Sequence, residues 1–418
     1  MKILHISSSD LHGGAAIAAY RLHSGLINHK DIESIMIVSN KISEDKNVFK
    51  INDIFNLNFK VTIRRILVKA GKKLSSIIAK ASFSIIYLPK SKIKNAINKI
   101  NPQIIHIHWL DETILTFEDI KELNIPIVYS MHDMWIFTGG CHYSQDCERF
   151  KLGCGKCPIL GPAILNDLTK FIFNKKRKSI KSIKSISFLS VSEWLSKTAK
   201  LSPILSDFDI QTLPNLIDTS IFKIRAVEKA KKRLGLDKNK KYIIFGAINS
   251  IDDPRKGWNI LVKALESLNF KNVELLVFGN NSVIHKEIAG FKVTSFGKIN
   301  NVNKIIDLYN SSDVMVVPSL QEAFGQTITE AMSCGTPVVS FDGTGPSDII
   351  KHLENGYLAK SNNYIDLANG IEFLITKNID NSFRDNCRNQ ILENFSTDKN
   401  IIRYIKFYKN ILNDYNRA

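Results

Sequence analysis

Glu322-Ala-Phe-Gly-Gln-Thr-Ile-Thr-Glu330 runs on through Ala331-Met-Ser-Cys-Gly335-Thr-Pro-Val-Val339, and the reading of this stretch decides the fold. The apolar run 313–317 ahead of it stops at Pro318 and reads as a strand. Gly325 permits a close backbone approach, so a helix is expected to begin near Gly325 or Gln326 and to stop at Gly335. The run 337–341 then reads as the next strand. Strand, loop, helix and strand in this order form the unit of a parallel α/β sheet.

Outward from that unit the same alternation repeats. Apolar runs at 2–6, 34–38, 103–106, 127–130 and 187–191 in the first half, and at 242–245 and 273–278 in the second, are separated by helical stretches. Single cores rarely exceed about 250–300 residues, and this chain has 418. The expected fold class is therefore α/β, with two Rossmann-like domains facing each other across a cleft. Residues 1–220 and 221–400 are assigned to the two domains, and a C-terminal helix over 401–418 is expected to pack back toward the first. Between them, Leu213-Pro-Asn215 and Asp218 lead into a basic helix at 226–234. In such sheets ligands bind beyond the carboxyl ends of the strands.

The loops at those ends carry the chemistry. The backbone N–H groups of Phe324, Gly325, Gln326 and Thr327, at the start of a helix, suit a diphosphate. Glu322 lies in the loop before that helix, within reach of sugar hydroxyls. Glu330 lies on its second turn, within reach of ribose hydroxyls. Asp252-Asp-Pro-Arg-Lys-Gly257 follows the strand 242–245. There Arg255 offers a planar fork and Lys256 a point charge to a diphosphate. Asp10-Leu-His-Gly-Gly-Ala-Ala16 links the first strand to a helix, and Gly13 and Gly14 let a bound group approach the backbone. A full G-x-G-x-x-G is missing, which argues against a nicotinamide cofactor. Met131-His-Asp-Met-Trp135 follows the strand 127–130 and puts His132 at a carboxyl end, and His106 and His108 flank another strand end.

Together these motifs resemble the GT-B fold glycosyltransferases of family 4, which carry a Glu-x7-Glu motif in this context, and the resemblance spans nearly the whole chain. It implies transfer of a sugar, with retention, from a UDP- or GDP-linked donor to a glycan or lipid-linked glycan, as in bacterial surface-polysaccharide assembly. By the same resemblance Glu322 contacts the donor sugar, Glu330 holds the ribose and His132 faces the sugar. The Gly13–Gly14 loop lies near the diphosphate, and Asn215 shapes the segment between the domains. Lys256-Gly257 fits the family's Lys-Gly step. The family's Arg nearer the strand end is absent, Ala247 and Asn249 standing there instead, so Arg255 is assigned that work.

Glu322, His132 and Lys256 form the expected catalytic set. Breaking the glycosyl–phosphate bond builds oxocarbenium-like charge on the sugar and negative charge on the phosphate, which Lys256, Arg255 and the helix start would stabilise. No nucleophile is evident, so the acceptor is expected to attack from the front face. No DXD-like acidic pair occurs at a matching strand end, so no catalytic metal or other cofactor is expected. A non-catalytic nucleotide-sugar-binding or scaffold protein and a nucleotide-sugar epimerase are the competing readings.

Composition agrees with a globular chain: 44% of residues are hydrophobic and 23% charged, which argues against long disorder. The net charge of +17 calls for an anionic partner, and no nucleic-acid motif accompanies it. Residues 59–100 hold eleven Lys or Arg and no acid, and Lys175-Lys-Arg-Lys178 follows Phe171-Ile-Phe173. Residues 1–220 carry 30 basic and 19 acidic side chains, against 27 and 21 in the remainder. The expectation is a cytoplasmic protein lying peripherally on the anionic inner face of a membrane. No apolar run reaches the roughly 18 residues of a membrane span, and Met1-Lys-Ile-Leu-His-Ile6 reads as a strand, not a signal peptide.

Four of the six cysteines fall in one loop: Cys141, Cys147, Cys154 and Cys157. Cys154-x2-Cys157 has zinc-knuckle spacing, whereas Cys141-x5-Cys147 is wider than usual, and His142 could replace one ligand. A structural zinc, unliganded thiols and disulfides are all open readings. Cys334 and Cys387 lie in helical contexts and are expected to be buried thiols.

Overall fold

A computed structural model describes residues 1–54, 83–84, 93–109, 114–160, 166–246, 251–279, 285–377 and 381–417. The chain divides into two compact units, Met1–Pro214 with Ile401–Ala418, and Asn215–Asn400.

The first unit is built on strands β1 (Lys2–Ser9), β2 (Glu33–Asn40), β3 (Val48–Lys50), β4 (Ile104–Ile107), β5 (Ile127–Met131), β6 (Ile186–Ser190) and β7 (Ile210–Thr212). They lie in the order β3-β2-β1-β4-β5-β6-β7, and neighbouring strands run parallel, with Ile3 opposite Ile104 and Ile127 opposite Ile186. Every residue of β4 and β5 is buried. Helices covering both faces of a parallel sheet leave no face for water, so the strands read as continuous apolar runs instead of alternating.

The second unit repeats the plan with β8 (Lys241–Gly246), β9 (Val273–Phe278), β10 (Glu287–Ile288), β11 (Phe291–Ser295), β12 (Val314–Val317), β13 (Val338–Phe341) and β14 (Gly356–Ala359). The order is β10-β11-β9-β8-β12-β13-β14, and only the edge pair β10–β11 is antiparallel. The sequence reading omits β3, β7, β10, β11 and β14. The sheet ends at β3, β7, β10 and β14, whose short runs give too little apolar periodicity to stand out.

The helix starts follow local chemistry. Gln326–Ser333 begins after Gly325 at φ +103°, and Gly335 at φ +74° ends it. Val227–Leu234 is closed by Gly235 in the left-handed region. Near the end of the chain Tyr404 donates its hydroxyl to the carbonyls of Leu213 and Pro214, at 3.1 and 3.0 Å.

Among the described residues no helix is long and apolar enough to cross a membrane. The basic stretch 59–100 lies mostly outside the described residues, as do Ala247 and Asn249. The second basic block sits on the helix Asn166–Lys181. It needs one correction, because Lys176 is turned inward and is only 1% exposed.

One glycine sets the geometry of the second unit. Gly257, at φ +75°, passes so close to Pro318 that a Cβ would lie 1.9 Å from the Pro318 carbonyl oxygen. Gly235, at φ +69°, has nothing within 4 Å of its Cβ position. Gly235→Ala is therefore expected to cost about 1 kcal/mol through backbone strain alone. Gly257→Ala is expected to cost several times more, lowering the melting temperature by roughly 5–10 °C. Equal shifts for the two variants in differential scanning fluorimetry would refute the close approach.

Candidate active site

Three loops meet at the carboxyl ends of β8, β12 and β13, which are neighbours in the second sheet. The loop after β8 ends in a short turn, Pro254–Lys256, whose start is capped by Asp253 accepting from the Arg255 backbone N–H at 3.0 Å. Leu320, in the loop after β12, donates its N–H to the Arg255 carbonyl at 2.8 Å. The loop after β13 closes the group. Gly345 donates its N–H to the Glu322 carbonyl at 2.9 Å, and a Cβ on Gly345 would lie 2.4 Å from the Ala323 carbonyl oxygen.

Within this frame Lys256 and Glu322 come together. Lys256 Nζ lies 2.6 Å from Glu322 Oε2, and the Glu322 side chain is 14% exposed. Arg255 Nη1 stands 3.7 Å from the same oxygen. Its fork also donates to the Gln321 carbonyl at 2.8 Å and to Asp253 Oδ2 at 3.0 Å. Burial by itself would raise the Glu322 pKa. The Lys256 ammonium, then the Arg255 guanidinium and the Ala323 backbone N–H, outweigh it and hold the carboxyl below its ordinary value. Glu322 is thus an ionised carboxylate in a largely dry place.

Glu330 accepts from the Tyr309 hydroxyl at 3.0 Å. No side chain caps the start of its helix at Gly325, and Gln326 and Thr327 are partly exposed there. Phe324 is buried, its ring 5.8 Å from Phe395 and edge-on to it. Only its backbone then faces the loop side. Asn215 is buried at the first residue of this unit.

Gly13, Gly14 and His132 belong to the first unit. Gly13 is at φ +96° and precedes the helix Gly14–Ile27, whose start also lacks a side-chain cap. The buried Asp10 fixes this loop, accepting from the N–H groups of Leu11, Ile42 and Ser43 at 2.9, 2.9 and 2.8 Å. Sequence reasoning passed over Asp10, because a lone aspartate between Ser9 and Leu11 announces none of those partners.

His132 is the end of a histidine network. Its Nε2 lies 3.3 Å from His108 Nδ1, and His108 Nε2 lies 3.0 Å from His5 Nδ1. His106, opposite His5 in the β1–β4 register, is 2.7 Å from both the Ser130 and Tyr408 hydroxyls. His23 lies 2.7 Å from Ser34 Oγ, its ring 5.8 Å from that of His5. Ligand nitrogens of His5, His106 and His108 lie within 4.8 Å of one another. However, both His106 nitrogens already have hydroxyl partners, so the cluster is a hydrogen-bonded network and not an open ligand set. Burial is the main reason all five stay neutral. It takes His23 and His132 down to about 4, partly opposed by Asp45 and Asp133, and His5, His106 and His108 well below the ordinary value.

Residues 227–394 match the family described as glycosyl transferases group 1. Over these residues the chain is a group 1 glycosyl transferase. It is similar to the N-acetyl-alpha-D-glucosaminyl L-malate synthase of Bacillus anthracis, 23% identical over 339 residues, which cover 78% of this chain and 79% of that relative. Its fold is similar to that of sucrose-phosphate synthase from Thermosynechococcus elongatus, with a TM-score of 0.66 at 16% identity over 99% of each chain. It is also similar to that of Anabaena HepE solved with UDP and glucose, with a TM-score of 0.61 at 14% identity, covering 98% of this chain and 99% of that one. These likenesses establish the GT-B type of fold, two α/β sheets of seven strands each. The chain is a glycosyltransferase.

The neutral histidines have a pH consequence. Their pKa values are lowered in the folded state, so between about 6.5 and 4 the unfolded chain takes up protons that the folded chain does not. Stability is therefore full above about pH 6.5 and falls as the pH drops below it, by about 1–2 kcal/mol per buried histidine at pH 5. Urea unfolding at pH 7.5 and pH 5 reads this directly. A flat profile, or one unchanged in His23→Gln, contradicts it.

Proposed function

We propose that this protein transfers a sugar, with retention of configuration, from a nucleotide-diphosphate donor to a glycan or lipid-linked glycan of a surface polysaccharide. The observation that carries the reading is the Lys256–Glu322 pair, 2.6 Å apart, beside the uncapped helix start at Gly325. As the bond from the anomeric carbon to the phosphate oxygen breaks, its electron pair stays on that oxygen, while the acceptor hydroxyl oxygen bonds to the anomeric carbon from the same face and passes its proton to the departing phosphate. Lys256 and the N–H groups at Gly325–Thr327 stabilise the charge that develops there. The ionised Glu322 accepts hydrogen bonds from the sugar hydroxyls, and Glu330, steadied by Tyr309, takes those of the ribose. Arg255 adds positive charge and braces the Glu322 loop. The Gly13–Gly14 loop offers its helix start to the diphosphate side. His132 is neutral and hydrogen-bonds the sugar. Asn215 shapes the passage from one unit to the other.

A UDP-linked hexose is the first donor to test, since the HepE structure holds UDP and glucose. The family is typically metal-independent. Incubation with a panel of UDP- and GDP-sugars, read by mass spectrometry, is expected to show one donor consumed and, with acceptor, one glycosidic product. Glu322→Ala and Lys256→Ala should each lower turnover by about 100-fold or more while the melting temperature changes little. Near-normal turnover in both folded variants contradicts the site. A sugar isomerised without an acceptor would indicate an epimerase, and a donor bound but never turned over a scaffold protein.

A lipid-linked acceptor fits a basic face of the first unit. On the helix Asn166–Lys181, Lys170, Phe171, Arg177 and Lys178 are exposed, Phe171 by 60%. Their spacing places them on one side of the helix. Each basic group near an anionic surface contributes about 1 kcal/mol, and Phe171 can enter the interface. Binding to phosphatidylglycerol vesicles is expected at low salt, weakening with added salt, and falling about tenfold or more in a Phe171→Ser/Arg177→Glu/Lys178→Glu variant. No binding at low salt contradicts this location.

A further inference from the structure

We propose that Cys141, Cys147, Cys154 and Cys157 bind one structural zinc ion, which gives the long loop between β5 and the helix Asn166–Lys181 its shape. All four line a single cavity of about 20 Å³, room for one atom-sized guest. None of the four is in a disulfide. On the side of the cysteines the loop packs a small cluster, Cys141, Ile159 and Leu160 with Phe83, against which Cys157 lies.

The backbone around the second pair has the form of a metal knuckle. Cys154, Gly155 and Lys156 are all at positive φ, +60°, +91° and +46°. Three consecutive residues in the left-handed region, two of them not glycine, are strained and persist only where something holds them. Part of that hold is visible. Gly139 donates its N–H to Cys154 Sγ at 3.1 Å. Cys154 donates its own N–H to the Arg149 carbonyl at 2.8 Å, and Gly155 donates to Thr169 Oγ1 at 3.1 Å. A Cβ on Gly139 would lie 2.7 Å from the Thr169 carbonyl oxygen and 3.1 Å from Cys154 Cβ, so the cysteine must sit close against this strand of the loop.

Charge points the same way. Four thiols binding one zinc ion release four protons and leave the site at a net charge of −2. The Lys176 side chain, on the helix that follows the loop, is buried, its ammonium on the Trp135 carbonyl and 4.0 Å from the centre of the Trp135 ring. A buried ammonium on that helix can offset an anionic centre in the loop. Among the described residues only His5, His106 and His108 meet the 4.8 Å spacing of a closed ligand set. The four sulfurs ring their cavity at wider spacing, so binding one ion requires them to close in.

The loop leads back to the strand end. His142, next to Cys141, lies with its Nδ1 2.7 Å from Asp133 Oδ2 and its Nε2 2.9 Å from Ser84 Oγ. Asp133 follows His132, so the zinc-held loop clamps the backbone beside that histidine.

The test uses the full chain purified without a metal-affinity tag, under mild reductant. Elemental analysis is expected to give about one zinc per chain. Cys154→Ser/Cys157→Ser should lose it and Cys334→Ser should keep it. Because the double variant could unfold, cobalt exchanged into the unaltered protein gives a second reading: intense thiolate-to-cobalt absorption and tetrahedral bands. Metal-free protein with all four thiols titratable, a disulfide among the four in thiol-blocked protein, iron–sulfur absorption, or cobalt bound without the thiolate band each overturns the proposal. None of these readings depends on transferase activity.

Discussion

The second unit is organised by the close passage of Gly257 over the Pro318 carbonyl. Two loops from neighbouring strands can approach so nearly only where one of them lacks a side chain. Once they touch, Leu320 bonds to the Arg255 carbonyl, Arg255 bonds to Gln321, and Lys256 is delivered to Glu322. Gly345 repeats the device from the far side, against Ala323. The charged pair at the centre is thus fixed by backbone contacts made at glycines, and its long side chains have little freedom left to lose. A preorganised charge of this kind stabilises a departing anion without reorganising at the moment of reaction.

The first unit handles polarity differently. It gathers five histidines, four of them buried and His132 partly exposed, keeps them neutral, and satisfies most of their nitrogens with one another or with hydroxyls. A cationic histidine there would face desolvation and its neighbours' charge together, so the network is uncharged at neutral pH. His132, at the end of the network, is thus a neutral hydrogen-bonding group and not a point charge. The Tyr408 hydroxyl, from the last helix of the chain, is one member of this network. The C-terminal residues therefore take part in the interior of the first unit as well as in its covering.

Much of this was legible in the sequence. Apolar runs marked the central strands to within a few residues, because a strand buried on both faces is apolar at most positions, with exceptions such as His106 and Ser130 that hydrogen-bond each other. Gly325 and Gly335 marked both ends of the helix Gln326–Ser333, since only glycine adopts their backbone angles at little strain. The Glu322, Glu330 and Lys256 motifs announced themselves through residue type at strand ends. The short edge strands β3, β7, β10 and β14 did not, having too few residues to show a period.

What the sequence determined by itself was local: strand and helix identity, loop chemistry, and the presence of an excess of positive charge. Tertiary structure alone decided which distant residues meet. Sixty-six positions separate Lys256 from Glu322, and 302 separate His106 from Tyr408, and no periodicity encodes such pairings. The same holds for Lys176, which reads as one of four solvated basic residues until packing turns it inward against Trp135. It holds too for the four cysteines, which only the fold gathers around one cavity. The physical reason is that propensity and pattern act over a turn or a strand, whereas burial and charge pairing depend on which elements the chain brings side by side.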